Sequence, residues 1–320
     1  MTLETGIFDQ YDLGTGRAAD ALHDHLAFAI EADRLGIDHY HVTEHHGSPL
    51  SVAPPSLVLA ALAPITERIR LGALVNILPA THPFRLAEEI AFLDQLSGGR
   101  LDVGVGSGVS PYELGYIGVD AAQGKAVFAE RFPQLVELLA TGRAGLGELP
   151  LRPLQERIPL WYASSSGRSA EWAGRNGVNF IGWWTPEFPE LAAMHRAAAA
   201  EAGHAVTFGL ASYIVIGDTD AAAQERFRRA FAHFGARSML EVWWRHGDHA
   251  FDFLGDPQWR LDHGHAIVGT VETVRERLAE RIASTGAGLV QGQLFFGDMT
   301  RSEAIENLTA FATEVAPGLR

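Results

Sequence analysis

Cysteine is absent from the 320-residue sequence, which removes disulfides, thiolate metal sites and cysteine nucleophiles and ties the chain to no oxidising compartment. Positive charge is scarce. Lys and Arg number 25 against 39 Asp and Glu, a formal charge of −14, the wrong sign for gripping nucleic acid or an anionic membrane. No apolar run approaches the length that spans a bilayer. Met1-Thr2-Leu3-Glu4 lacks the basic start and apolar stretch of a secretion signal. These absences predict a cytoplasmic protein that meets small molecules, with no nucleic-acid or membrane partner.

What is present is a chain able to bury a large core, 47% hydrophobic and 20% charged. Short β-rich apolar segments alternate with longer helical patterns throughout, as in a parallel sheet built from βα units. Eight strands are predicted: Gly6–Gln10, Asp38–Thr43, Ile69–Ile77, Leu101–Gly106, Ile158–Ala163, Asn179–Trp183, Thr207–Ile216 and Gly288–Phe296. Helices between them carry apolar residues three and four apart, as in Leu86, Ile90, Leu93, Leu96 and in Val271, Val274, Leu278, Ile282. Gly36, Gly98-Gly99, Gly142 and Gly177 stand where helices should stop. The expected fold is one α/β domain over 1–320, a (β/α)8 TIM barrel with insertions. Two stretches break the rhythm, Gly142–Arg157 and roughly Trp244–His265. The second, without clear period, reads as a long mobile lid. A doubly wound open sheet gives the same alternation, but Gly104-Val105-Gly106-Ser107-Gly108 puts Val109 where a dinucleotide fingerprint needs its third glycine.

Three stretches carry chemistry. His39-Tyr40-His41-Val42-Thr43-Glu44-His45-His46 ends the second strand, and barrels do chemistry at that end. Four histidines in eight positions exceed what structure needs, although two of them can be structural. His39 and His41 stand two apart on one strand face, as paired metal ligands do. The fourth, fifth and sixth strands exit through Gly106-Ser107, Ala163-Ser164 and Trp183-Trp184, a poor ligand set, so no metal is expected and the histidines read as acid, base or hydrogen-bond donor. Second, Ala163-Ser164-Ser165-Ser166-Gly167-Arg168-Ser169 leads into a helical pattern. Hydroxyls and free N–H groups at a helix start make an anion site, while an ordinary N-cap needs one serine only. Third, Asn76 to Arg85 leaves the third strand, either as a turn with Thr81 capping the next helix or as another site loop.

These stretches resemble the bacterial luciferase-like flavin monooxygenases. VTEHH at 42–46, ILPATHPFRLAEEIAFLDQLSGGRLDVGVGSG at 77–108, SSSGRSAEWA at 164–173 and AIVGTVETVRERL at 266–278 occur in order and at matching spacings, so the likeness runs nearly end to end. The resemblance implies a luciferase-like barrel holding reduced FMN, supplied by a separate reductase, which reacts with dioxygen to form a C4a-hydroperoxide that oxidises a small, largely apolar substrate.

Position by position, the resemblance makes His45 the catalytic histidine, with His46 and Glu44 beside it. It assigns the phosphate to Ser166, Gly167 and Ser169 within the Ala163, Ser164, Ser165 loop, with Lys125 where luciferase has an arginine. It places the flavin ring against Leu74, Val75, Asn76, Gly106, Ser107, Val109 and Trp184, with a cis peptide at Leu74–Val75. Phe8 and Trp183 would wall the substrate pocket. Gly106, Ser107 and Ser165 replace a cysteine, an arginine and a glutamate of luciferase, so light emission and a long-chain aldehyde substrate are not inherited. A homodimer is implied. Two other readings stay open: a hydride-transferring oxidoreductase using the deazaflavin F420, and a non-catalytic flavin-binding subunit.

Overall fold

The computed structural model describes residues 3–13, 16–50, 54–145, 147–235 and 240–320. Among them, eight parallel strands pair in a closed ring: β1 (Glu4–Asp9), β2 (His39–Val42), β3 (Arg70–Ile77), β4 (Leu101–Gly106), β5 (Leu160–Ala163), β6 (Asn179–Trp183), β7 (Phe208–Ile216) and β9 (Leu289–Gln293). Closure is made by Glu4 opposite Leu289 and Ile7 opposite Gly292. An open sheet is thereby excluded, and the eight predicted strands are the eight that close.

The helices are α1 (Ala18–Arg34), α2 (Pro55–Leu62), α3 (Pro83–Leu96), α4 (Pro111–Tyr116), α5 (Gly124–Thr141), α6 (Gly167–Arg175), α7 (Phe188–Glu201), α8 (Asp220–Phe234), α9 (Glu241–Arg245), α10 (Pro257–Asp262), α11 (Val271–Thr285) and α12 (Arg301–Ala310). Their apolar stripes face the ring. On α8, Phe227, Phe231 and Phe234 fall at helical spacing, are fully buried, and pack on Tyr213 and Phe296. Each such burial stabilises the fold by about 1.5–3 kcal/mol. Gly142 stops α5 at a left-handed φ of 75°, the conformation for which glycine carries no Cβ penalty.

Three details differ from the sequence reading. First, a ninth strand, β8 (Ala266–Gly269), pairs with the upper half of β7, Ala266 opposite Tyr213. Four residues after a long irregular stretch are too few to show a strand period. Second, Trp244–His265 is no structureless loop: α9, a 3-10 turn at Asp252–Gly255 and α10 run through it. These pieces are shorter than two helical turns each, so no periodicity accumulates. Gly142–Arg157 likewise contains a small hairpin, Arg143–Ala144 with Gly147–Glu148. Third, α3 is capped by the His82 side chain, which accepts from the Phe84 N–H at 3.2 Å, rather than by Thr81. With Pro83 at the first helical position, the residue before it is the one that can cap.

Candidate functional site

Glu44, His45 and His46, the residues after Asn76 and the serine loop all lie on one rim of the ring, because parallel strands all end there. The rim opens over Phe8 and Trp183, which meet edge to face at 5.6 Å. Trp183 also stacks on Tyr213 at 4.5 Å. Trp184, one residue on, turns to the other side of the strand: it packs on Phe188, and the Arg281 guanidinium lies 4.8 Å over its ring. So Phe8 and Trp183 share a wall, while Trp184 backs it from outside.

His45 stands at this rim with its side chain 30% exposed, and its Nδ1 lies 3.2 Å from a Glu113 carboxylate oxygen. A carboxylate only accepts, so Nδ1 carries the hydrogen and Nε2 is left as the working atom. Nε2 takes no partner among the described residues. Glu113 also accepts the His46 backbone N–H at 2.8 Å, so one carboxylate fixes two consecutive residues. Burial pushes the Glu113 carboxyl up, but the His45 and His46 hydrogen bonds and charges outweigh it and hold the group below its ordinary value. The Ser110 hydroxyl accepts the Glu113 N–H and starts α4.

Glu44 clamps the neighbouring exit. Its Oε2 accepts the Ile77 N–H at 2.6 Å, tying β2 to β3, and its Oε1 meets His46 Nε2 at 3.0 Å. That hydrogen bond raises the His46 pKa against the opposing effect of burial, and it occupies the His46 Nε2, the atom that His45 keeps unengaged. Glu113 was not singled out in the sequence. Its signal, a Ser-x-x-Glu capping pattern at 110–113, says helix start and nothing about the histidines 68 residues away.

His39 and His41 occupy the opposite end. Both are buried, and both reach the same Asp102 oxygen, at 2.8 and 3.0 Å. Arg70 donates to the other Asp102 oxygen at 2.8 Å, and Glu4 meets His39 at 3.1 Å. Burial opposes charge on His39, but the two carboxylates prevail and lift its pKa to about 9. His41 is driven the other way by burial, against the pull of Asp102. Two carboxylates therefore face one imidazolium and one guanidinium, and the charges cancel. Although His39, His41 and Asp102 lie close enough together to ligate an ion, their donor atoms are committed to one another, and Arg70 opposes a cation.

The serine loop behaves as a cap with spare capacity. Ser166 Oγ accepts the Ser169 N–H at 3.3 Å and bonds Ser169 Oγ at 2.8 Å, and Ser164 Oγ accepts the Ser166 N–H at 3.3 Å. Ser165 and Ser166 are exposed, with Ala163 open beside them. A Cβ on Gly167 would come within 3.0 Å of the flexible end of the Met194 side chain, which would have to move aside for it. Lys125 lies in the first turn of α5, whose Phe128 packs on Tyr162 of β5 and Trp172 of α6. That packing turns two helix starts toward one place. Their hydroxyls, amides and ammonium suit a phosphate.

Between serines and histidine the exits are small or open. Leu74–Val75 is a cis peptide. Asn76 Nδ2 donates to the Gly104 carbonyl at 2.8 Å. A Cβ on Gly106 would lie 2.5 Å from Val75 Cγ2, so Val75 fills the space a larger residue would claim there. Val109, beyond Ser107, is 91% exposed, an apolar side chain at the mouth with nothing over it. A flat ring with a phosphate tail fits this donor set and these gaps.

Comparison with known proteins gives the family. The profile of the luciferase-like monooxygenase family matches residues 3–288. Protein y4wF of Sinorhizobium fredii, itself uncharacterized, is 30% identical over 98% of this chain and 96% of its own. The oxygenating constituent of 3,6-diketocamphane monooxygenase from Pseudomonas putida, a type II Baeyer–Villiger enzyme solved with FMN, superposes with a TM-score of 0.83 at 22% identity over 99% of both chains. The F420-dependent tetrahydromethanopterin reductase of Methanopyrus kandleri shares the fold at a TM-score of 0.75 and 19% identity, covering both chains fully. The chain belongs to the luciferase-like monooxygenase family, and with it to the oxidoreductases.

Proposed function

We propose that the protein is a monooxygenase that takes reduced FMN from a separate reductase and oxidises a small, largely apolar substrate with dioxygen. The observation that carries this is the single open rim on which a hydroxyl-rich double helix start and the His45–Glu113 pair face one another across the Leu74–Val75 and Gly106–Ser107 exits. Ser166, Ser169, the Gly167 amide and Lys125 would hold the phosphate. Val75, Asn76, Ser107 and Val109 would line the ring, with Trp184 supporting from behind. Reduced flavin, when bound, supplies the electrons that activate oxygen.

The chain's own residues do the rest. His45, oriented by Glu113, offers Nε2 for holding or moving a proton at the reacting edge. Phe8 and Trp183 give the substrate an apolar wall and keep water from it. The segment 241–262 serves as the lid. Tyr112 bonds Asp248 at 2.9 Å and stacks on His246 at 4.2 Å, Tyr116 meets His246 at 2.8 Å, and Arg245 donates to the Gly47 carbonyl at 2.9 Å. These contacts dock the lid on the helix that carries Glu113 and on the loop after His46. Exposed Leu57 on α2 and Phe92 on α3 suit the outer surface of a homodimer. No described helix is long and apolar enough to cross a membrane.

The test is to titrate the protein with FMN and with F420, then follow oxygen uptake with each in reduced form. FMN binding with oxygen uptake supports the proposal. F420 binding with hydride transfer and no oxygen uptake replaces it with the deazaflavin reading. Intact FMN binding whose turnover ignores His45→Ala points to a silent subunit.

A further inference from the structure

His45 and Glu113 reach one another from different strand exits, and neither exit is stiff by itself. His45 follows β2 in a stretch without regular structure. Glu113 belongs to α4, which is six residues long, and a helix that short has little stability of its own. Their contact is at the long end of the hydrogen-bond range, 3.2 and 3.4 Å from Nδ1 to the two carboxylate oxygens. A small shift of either exit would break it.

A third element spans the two. Arg245, the last residue of α9, donates to the carbonyl of Gly47, two residues past His45, at 2.9 Å. Glu241, one turn back, steadies the same guanidinium. The next residue, His246, lies face to face on Tyr112 at 4.2 Å with 5° between the planes, and its Nε2 meets the Tyr116 hydroxyl at 2.8 Å. Trp243 meets the Tyr112 ring edge-on at 5.3 Å, and Asp248 accepts from the Tyr112 hydroxyl at 2.9 Å. Tyr112 and Tyr116, four residues apart, share one face of α4, which leaves Glu113 free to turn toward His45. The Tyr116 ring also lies on Gly47: a Cβ there would come 2.7 Å from it. One short stretch of lid therefore grips the loop of His45 and the helix of Glu113 together.

We propose that Arg245 and His246 are positioning residues: docking of the lid clamps the Gly47 loop to α4, holds the Glu113 carboxylate on His45 Nδ1, and so keeps Nε2 as an acceptor facing the mouth. This rests on the role proposed above for His45. With the lid lifted, Glu113 keeps the His46 amide at 2.8 Å, while the longer bond to the ring gives way. The ring then moves toward the tautomer with its hydrogen on Nε2, giving one proton to solvent and taking one back, and offers the mouth a donor instead of an acceptor. The movement that shuts water out is the one that readies the histidine.

NMR of the ligand-free protein carrying 15N-labelled histidine tests this at about pH 8.5, above the ordinary histidine range, because the nitrogen shifts report which ring atom holds the hydrogen. The His45 signals are assigned by their loss in His45→Ala, and the unmutated protein is expected to show mainly the Nδ1–H form. Glu113→Ala should move the ratio of the Nδ1–H to the Nε2–H form by about tenfold, the worth of one hydrogen bond to a charged group. Arg245→Ala should move it in the same direction by about threefold, as fits one neutral acceptor lost at a distance, without shifting the urea midpoint, since the Arg245 side chain is 50% exposed. In the Glu113→Ala background Arg245→Ala should change nothing further, because its effect passes through that carboxylate. A mainly Nε2–H ring in the unmutated protein, a ratio indifferent to Arg245→Ala, or an equal change with and without Glu113 overturns the proposal. The readout needs no cofactor, so it stands or falls separately from the flavin reading.

Discussion

His39 and His41 are separated from His45 and His46 by three residues, yet the two pairs have opposite employment. The first pair points into the ring and is locked between Asp102 and Glu4, every one of its nitrogens engaged. The second stands past the strand end, one ring bound to Glu44 and the other keeping Nε2 free. Both pairs have carboxylate partners, so acid contact alone does not make a site. What separates them is an unengaged atom beside open space, and strand direction decides which pair has it. The inner pair serves the barrel and the outer pair serves the mouth.

That division can be broken by mutation. Asp102→Ala leaves buried His39 with Glu4 alone and takes from Arg70 its carboxylate partner, and is expected to cost about 3 kcal/mol of unfolding free energy, read from urea denaturation. A change below about 1 kcal/mol would show that the inner network holds nothing together. His45→Ala should do the reverse. Turnover is expected to fall about a hundredfold while the urea midpoint stays put. A variant that unfolds early yet works normally would exchange the roles of the two pairs.

Titration sharpens the contrast. The pKa of His39 is raised to about 9 from the ordinary 6.5, so its contribution to stability is complete below the unfolded value and disappears as pH rises through the folded one. Thermal unfolding between pH 7 and 10 is expected to show this loss, and His39→Gln should flatten the curve; an unchanged slope would place the alkaline sensitivity elsewhere. The smallest effect belongs to the far side of the mouth. Ser166→Ala removes the α6 cap and is expected to cost about 1 kcal/mol of stability. It should weaken FMN more than riboflavin in parallel fluorescence titrations, and equal weakening of both would move the phosphate away from this loop.

Much of this was legible beforehand. All eight ring strands follow from apolar segments bounded by turn residues, because a strand buried on both faces announces itself by continuous hydrophobicity. The serine loop could be read as an anion site because helix-start chemistry is local. Glu113 could not, since the carboxylate that orients His45 comes from a different exit and only closure of the ring brings the two together. Asp102 is hidden for the same reason: within LDVGVG it looks like an ordinary strand residue, and its two imidazoles arrive from β2. Trp183 and Trp184 form an uninformative pair in one dimension, and strand alternation sends one inward and the other out. The strand Ala266–Gly269 was lost for want of length.

That short strand has a mechanical consequence. β7 runs past its neighbours, and its upper half is held by β8, so the excursion between them leaves from one end of a barrel stave and returns alongside it. Both feet of the overhanging arm stand on the same post. If the proposed lid moves, its strain falls on the wall that carries Tyr213 and, stacked upon it, Trp183.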